Sequence, residues 1–491
     1  MYLSVYLFLF PQIALMGSSD WDPEVTALTS YAELSSIVEE LGTDPLFTVT
    51  EAGRSLEDRA LWLLRITHPG RAAKWRVFFY AQQHGNEPAG KEALIQLAKA
   101  IHADPSLLPK GVELWMLPMV NPDGAERDQR RNSVGADLNR DHMTLLQPET
   151  QALHRAFRSI QAHLSIDCHE FGRDSDDYLE KGWIEWPDIM MDTANHPLLD
   201  DALVLAGANL VKRMSTSMNK RGINFQRYFV GGVPPDGEQR HSAPDMDGGL
   251  NGSAIYGGFS FIIEGGVYRT DNNDNHDLPD RVSNYYRLLK EVLHDRSVRR
   301  KGLALLTKQN RPGTPKWLPT NYFWGKVEET TVSIPVIDAQ SKKVHQTPAP
   351  NFMSDLVIKK SIAVPQAYLI TKEHADGFKT LLAQHAIPYN ILQKSTKMNV
   401  EVCILDTVET KFDDLYHRYG GRVIAHPESS IDVQLESGSL LVKILPPDGK
   451  RVLALLEPTN LYGLYQYPNY GAMVGPDKHL PAIRVMEIDP H

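Results

Sequence analysis

Cysteine is nearly absent from this chain, with only Cys168 and Cys403 among 491 residues. That excludes a disulfide framework and a cysteine-rich zinc site. The two could form one pair at most, and two unpaired thiols are the expectation. An excess of basic charge is also missing. Lys+Arg number 51 against 61 Asp+Glu, a formal net charge of -10. A general nucleic-acid binder needs a basic footprint, so that class is set aside. Beyond the N-terminus no stretch approaches the ~20 apolar residues of a membrane span, and no stable span is expected. Internal repeats and low-complexity tracts are absent as well. What is present is ordinary globular composition, 42% hydrophobic and 23% charged, which excludes disorder, collagen and coiled coil for most of the chain. At about 150 residues per domain the length suggests about three domains.

The one concentrated apolar run lies at residues 2–16, YLSVYLFLFPQIALM. It is short for a membrane helix and fits the apolar region of a signal peptide, with Gly17 and Ser18 near a cleavage point. Residues 1–18 are therefore read as a signal peptide and the protein as secreted or periplasmic. The first basic residue is Arg54, so the usual positive leader is missing. A buried first strand and a cytoplasmic location are the alternative.

Strand-like runs then alternate with helical patterns. WRVFFY (75–80) and VELWMLPM (112–119) read as strands, as do LSID (164–167) and SFII (260–263). Residues 91–102 and 149–162 carry apolar residues at helical spacing. Strands separated by helices argue for an α/β layer fold, whose sites gather at strand carboxyl ends. Residues 231–258 are rich in Gly, Pro, Asp and Ser and read as a long loop. The expected organisation is an α/β domain over 19–300, a linker over 301–316 and a β-rich domain over 317–491.

Four clusters carry chemistry. His84-Gly85-Asn86-Glu87 follows the WRVFFY strand. Imidazole and carboxylate at one turn suit Zn²⁺, although Glu87 could equally favour the positive end of a helix. Asn121-Pro122-Asp123-Gly124 follows the next strand and reads as a turn. Arg130-Arg131-Asn132 and Asp137-Leu138-Asn139-Arg140 come next. Their arginines could bind a carboxylate or form a solvated basic loop. His169 sits at the end of the LSID strand, where it could be a third metal ligand. Glu264 ends FSFII, as a general base or as an ordinary strand-end acid.

Taken in order, HGNE, NPDG, RRN, DLNR, the strand-end His and FSFIIE resemble the zinc carboxypeptidases of the M14 family. The resemblance implies an α/β fold, a mixed sheet flanked by helices, with a β-rich C-terminal domain added. It implies one Zn²⁺ held by His84, Glu87 and His169. It makes Glu264 the base that activates a zinc-bound water, and Arg130 the group that polarises the scissile carbonyl. Asn139 and Arg140 would hold the substrate's terminal carboxylate, with Asp137 behind a ligating histidine. The implied activity is hydrolysis of the C-terminal peptide bond of a peptide or protein with a free C-terminus.

The chain departs from the family pattern in places. Asp141 follows Arg140 where many members carry an aromatic residue nearby, and an acid there could alter how Arg140 is presented. For the substrate-capping tyrosine, Tyr256 is the nearest candidate and Tyr228 the next. Asp245 or Asp247 could supply an acid for a basic terminal side chain. The rival reading is a related zinc amidohydrolase acting on N-acyl amino acids or peptidoglycan stem peptides. A catalytically inactive binding module is disfavoured, because His84, Glu87, His169 and Glu264 are all present.

Overall fold

The computed structural model describes residues 25–487 except 71, 270–276, 310–314, 327–331, 408–411, 414–417, 420–423, 428–429, 475–476 and 478. The signal-peptide segment lies outside the described residues. At the centre is an eight-stranded mixed sheet. Its strands are β1 (Phe47–Arg54), β2 (Ala60–Ile66), β3 (Trp75–Ala81), β4 (Val112–Leu117), β5 (Leu164–Gly172), β6 (Ile189–Thr193), β7 (Phe225–Arg227) and β8 (Phe259–Val267). They lie in the order β1-β2-β4-β3-β5-β8-β6-β7. β4, β3, β5 and β8 run parallel. Antiparallel strands flank them, β2 on β4 and β6 on β8.

The pattern of each strand explains its place. WRVFFYA and LSIDCHE are buried along almost their whole length, as strands covered on both faces must be. Helices Ala89–Ala103, Asp201–Lys220 and Leu278–His294 cover one face through Leu94, Leu210 and Leu289. Helix Pro148–Ile160 packs Leu153 and Phe157 against Phe78 and Tyr80 on the other. Fully burying such side chains stabilises by roughly 1.5–3 kcal/mol each. Among the described residues no helix is long and apolar enough to cross a membrane.

The C-terminal region is β-rich, as expected, and it is woven into the region that holds the central sheet. Hairpin Val332–Asp338/Val344–Ala349 adds to strand Trp183–Glu185. Strand Phe352–Met353 pairs with Gln239–Arg240, which pairs in turn with Val230–Gly231. A four-stranded sheet contains Ala367–Ile370, Leu440–Lys443 and Ala482–Val485. Its core is shared: Met143, Leu198, Met246 and Ile255 pack in one cluster with Tyr368, Phe378 and Leu440. Helix Arg296–Gln309 runs into the segment read as a linker. Residues 231–258, read as loop, hold strand Gln239–Arg240 and helix Gly249–Ala254.

Candidate metal centre and pocket

β3 ends at Ala81, and Gln82 takes a left-handed turn at φ 58°. This swings His84 and Glu87 over the sheet's carboxyl edge before the next helix begins. Gly85 is required by close approach, since a Cβ would lie 2.2 Å from the Gly124 carbonyl carbon. The NPDG turn is thus the floor under the HGNE loop. Asn121 caps that turn by accepting from Gly124 N at 2.9 Å, and its Nδ2 donates to the Gln83 carbonyl at 3.1 Å. His169 lies on β5 and pairs in register with Glu264 of β8.

His84, Glu87 and His169 converge, and all three are buried. His84 Nδ1 is 2.8 Å from Glu87 Oε1, and His169 Nδ1 is 3.0 Å from Glu87 Oε2. The two Nδ1 atoms are 3.1 Å apart. Each imidazole is held from behind by a carboxylate. Asp137 Oδ1 is 3.2 Å from His84 Nε2, and Asp167 Oδ2 is 3.0 Å from His169 Nε2. A carboxylate at Nε2 fixes the proton there and leaves the Nδ1 lone pair facing inward. Two lone pairs and a carboxylate facing one another call for a cation. The electrostatics agree. Burial disfavours charge on His169, yet Asp167 and Glu87 outweigh it and raise its pKa well above the usual range. Burial also disfavours charge on Glu87, but the two histidines outweigh it and hold the carboxyl far below the usual range. Two imidazoles and one carboxylate suit Zn²⁺ with a position left open.

The centre opens into a cavity of about 290 Å³ lined by Arg130, Asn139, Arg140 and Glu264 besides the three candidate ligands. Glu264 is 8% exposed, and burial pushes its carboxyl up to about 8. Arg130 is held by Asp137, with Nε to Oδ2 at 3.1 Å, and reaches Glu87 at 3.4 Å. Asn139 Oδ1 accepts from Gly249 N at 2.7 Å, tying helix Gly249–Ala254 to the wall. Asp141 accepts from Thr144 Oγ1 and from the backbone N–H groups of Leu146 and Gln147 at 2.6–2.8 Å, so its carboxylate shapes the turn after Arg140.

Tyr256 is a correction. It does not line the cavity. Its hydroxyl bonds His154 Nδ1 at 2.8 Å, and its ring stacks under Arg451 at 4.7 Å, on the face that receives the C-terminal region. The tyrosine in the cavity is Tyr228. Asp245 lines the cavity, and Asp247 is not among its lining residues. Cys168 and Cys403 are buried and unpaired. Burial pushes the Cys168 thiol well above its ordinary pKa, which makes it inert.

Sequence reasoning passed over three residues. Asp167 sits two before His169 on one strand, and that spacing puts both side chains on one face. Its second signal is spatial only: Gln83 Nε2 donates to Asp167 Oδ2 at 2.7 Å. Arg240 and Ser242 line the cavity from the region read as loop. Ser242 is fixed by donating to Asp192 Oδ2 at 2.6 Å, and its carbonyl accepts from Trp324 Nε1 at 3.1 Å.

Residues 38–174 match the zinc carboxypeptidase family, Peptidase M14. Carboxypeptidase 2 of Trichophyton equinum is 24% identical over 417 residues, covering 79% of this chain and 72% of that one. Carboxypeptidase SOL1 of Arabidopsis thaliana is 33% identical over 135 residues, 24% of this chain and 28% of its own. Among solved structures, carboxypeptidase A from Helicoverpa armigera aligns over 57% of this chain and 74% of its own, with a TM-score of 0.43 and 20% identity. The motif-bearing segment 38–174 is thus that of the zinc carboxypeptidases, Peptidase M14, and with relatives that are carboxypeptidases over most of its length the chain is a hydrolase of the metallocarboxypeptidase class.

Proposed function

We propose that this enzyme removes the C-terminal residue of peptides or proteins, with Zn²⁺ held by His84 Nδ1, Glu87 and His169 Nδ1. The observation that carries this is the convergence of those three donors at the floor of a cavity that also presents Glu264, Arg130 and Arg140. Zinc, when bound, supplies Lewis acidity and lowers the pKa of water it carries to about 7. The remaining work belongs to the chain. Glu264 takes a proton from the attacking water and returns it to the leaving amine, and its burial suits a carboxyl that must hold a proton for part of the cycle. Arg130, oriented by Asp137, faces the negative charge that grows on the carbonyl oxygen. Asn139 and Arg140 fix the free carboxylate, so that only the last peptide bond reaches Glu264.

The test is a mass-spectrometric digest of a mixed peptide library, with and without a zinc chelator. Ladders losing single C-terminal residues, abolished by chelation, are expected. Intact peptides alongside stoichiometric bound zinc would overturn the proposal and move the substrate to N-acyl amino acids or cell-wall peptides.

A further inference from the structure

Once the metal donors, the base and the carboxylate-binding pair are allotted, one cationic side chain of the cavity has no assignment. Arg240 lines the cavity with Tyr228, Ser242 and Ile262. Its backbone is fixed on both edges, paired with Val230 on one side and Met353 on the other. Its side chain is far less committed. Nη1 donates to the His241 carbonyl at 2.9 Å. Among the described residues no carboxylate lies within ion-pair distance of it.

The neighbouring charges differ. Arg130 is held by Asp137 and Glu87. Arg227 is bonded to Asp192 at 2.9 Å. Glu170 is paired with Arg281 and accepts from Ala89 N at 3.0 Å. Asp245, the acid in the same cavity, already has a partner within the protein, and its carbonyl accepts from Asn251 Nδ2 at 2.8 Å. A half-buried guanidinium with open donors in a concave site matches a carboxylate, by charge and by planar geometry.

We propose that Arg240 reads the side chain of the substrate's last residue and selects an acidic one, glutamate or aspartate. The inference rests on the carboxypeptidase reading. A terminal glutamate presents two carboxylates to two guanidiniums, its α-carboxylate to Arg140 and its side chain to Arg240. A terminal lysine or arginine would bring like charge against Arg240, which discriminates by repulsion. Asp245 makes the opposing case for a basic side chain, but its existing partner leaves Arg240 the group better placed to take a ligand.

The experiment uses the full chain loaded with zinc and peptides that differ only in the last residue: Glu, Asp, Gln, Leu or Lys. The expected kcat/KM for Glu exceeds that for Gln by at least about tenfold, the usual size for a charged hydrogen bond, with Lys the poorest. Arg240→Gln brings the Glu-to-Gln ratio to near one, and Arg240→Lys keeps part of it. A ratio between two substrates does not depend on the fraction of enzyme that is folded. Should Arg240→Gln not fold, free L-glutamate and free L-glutamine compete against the wild type, and glutamate inhibits at least about tenfold more strongly. A wild-type ratio near one, a preference for Lys, or an unchanged ratio in Arg240→Gln overturns the proposal. If no peptide of the series is cleaved while zinc is bound, the carboxypeptidase reading itself falls, and this inference with it.

Discussion

The wall carrying His84, Glu87, His169 and Glu264 is built from the ends of adjacent strands of one sheet, whereas the wall carrying Tyr228, Arg240 and Ser242 is built from residues 225–251, steadied by strands of the C-terminal region. The first wall is built within a single sheet, from strands that lie side by side. His84 follows β3, His169 lies in the carboxyl-terminal half of β5, and Glu264 lies beside His169 in register. The second depends on Phe352–Met353 pairing with Gln239–Arg240, on Trp324 holding the Ser242 carbonyl, and on Phe352 packing its ring 5.0 Å from that of His241. Rigid strands suit the chemistry, which tolerates little displacement. Loops braced from outside suit recognition, which varies with substrate. The C-terminal region therefore acts as a brace for the second wall.

Breaking the first wall has the largest expected effect. Glu264→Gln keeps one zinc per chain by elemental analysis while turnover falls by about a thousandfold or more. Full activity in that variant would remove Glu264 from the mechanism. Next come the residues behind the ligands. Asp137→Asn and Asp167→Asn each weaken zinc binding by about 10–100-fold in a chelator competition, and unchanged affinity would mean that the two carboxylates do not orient the imidazoles. Breaking the second wall is milder. Trp324→Phe loses the bond to the Ser242 carbonyl, raises KM by about threefold to tenfold and leaves zinc content alone. Lost zinc in that variant would show that the two walls are not separable.

The smallest expected effect concerns one histidine at the junction with the C-terminal region. His196 Nε2 is 3.0 Å from the Tyr322 hydroxyl, and burial lowers its pKa to about 3. The folded state keeps this imidazole neutral, while the unfolded chain takes up a proton near its ordinary pKa of about 6.5. Its contribution is therefore complete above about pH 6.5 and is lost as pH falls toward the folded value, at about 1.4 kcal/mol per pH unit. Urea melts between pH 6 and 5 should show a slope shallower by about that amount in His196→Asn. Equal slopes would exclude His196 as a source of acid sensitivity.

The same contrast governs what was legible in the sequence. His84, Glu87, His169 and Glu264 each sit in a motif that follows a strand's apolar run, and apolar runs are recognisable in a sequence. The α/β sheet followed from those runs as well. Tyr256 misled because sequence distance to Glu264 does not say which way the chain turns after helix Gly249–Ala254. There it turns toward His154 and Arg451. Arg240 carried no local signal at all. Its place depends on pairing with Met353, more than a hundred residues further along. Asp167 was within reach, since Asp-x-His on a strand puts both side chains on one face.

The most direct test of the account is anomalous scattering at the zinc edge from crystals of the full chain grown with zinc. The account predicts a single strong peak bounded by His84 Nδ1, His169 Nδ1 and the Glu87 carboxylate, opening toward Glu264. A peak elsewhere, or one approached through Nε2 of either histidine, would contradict it.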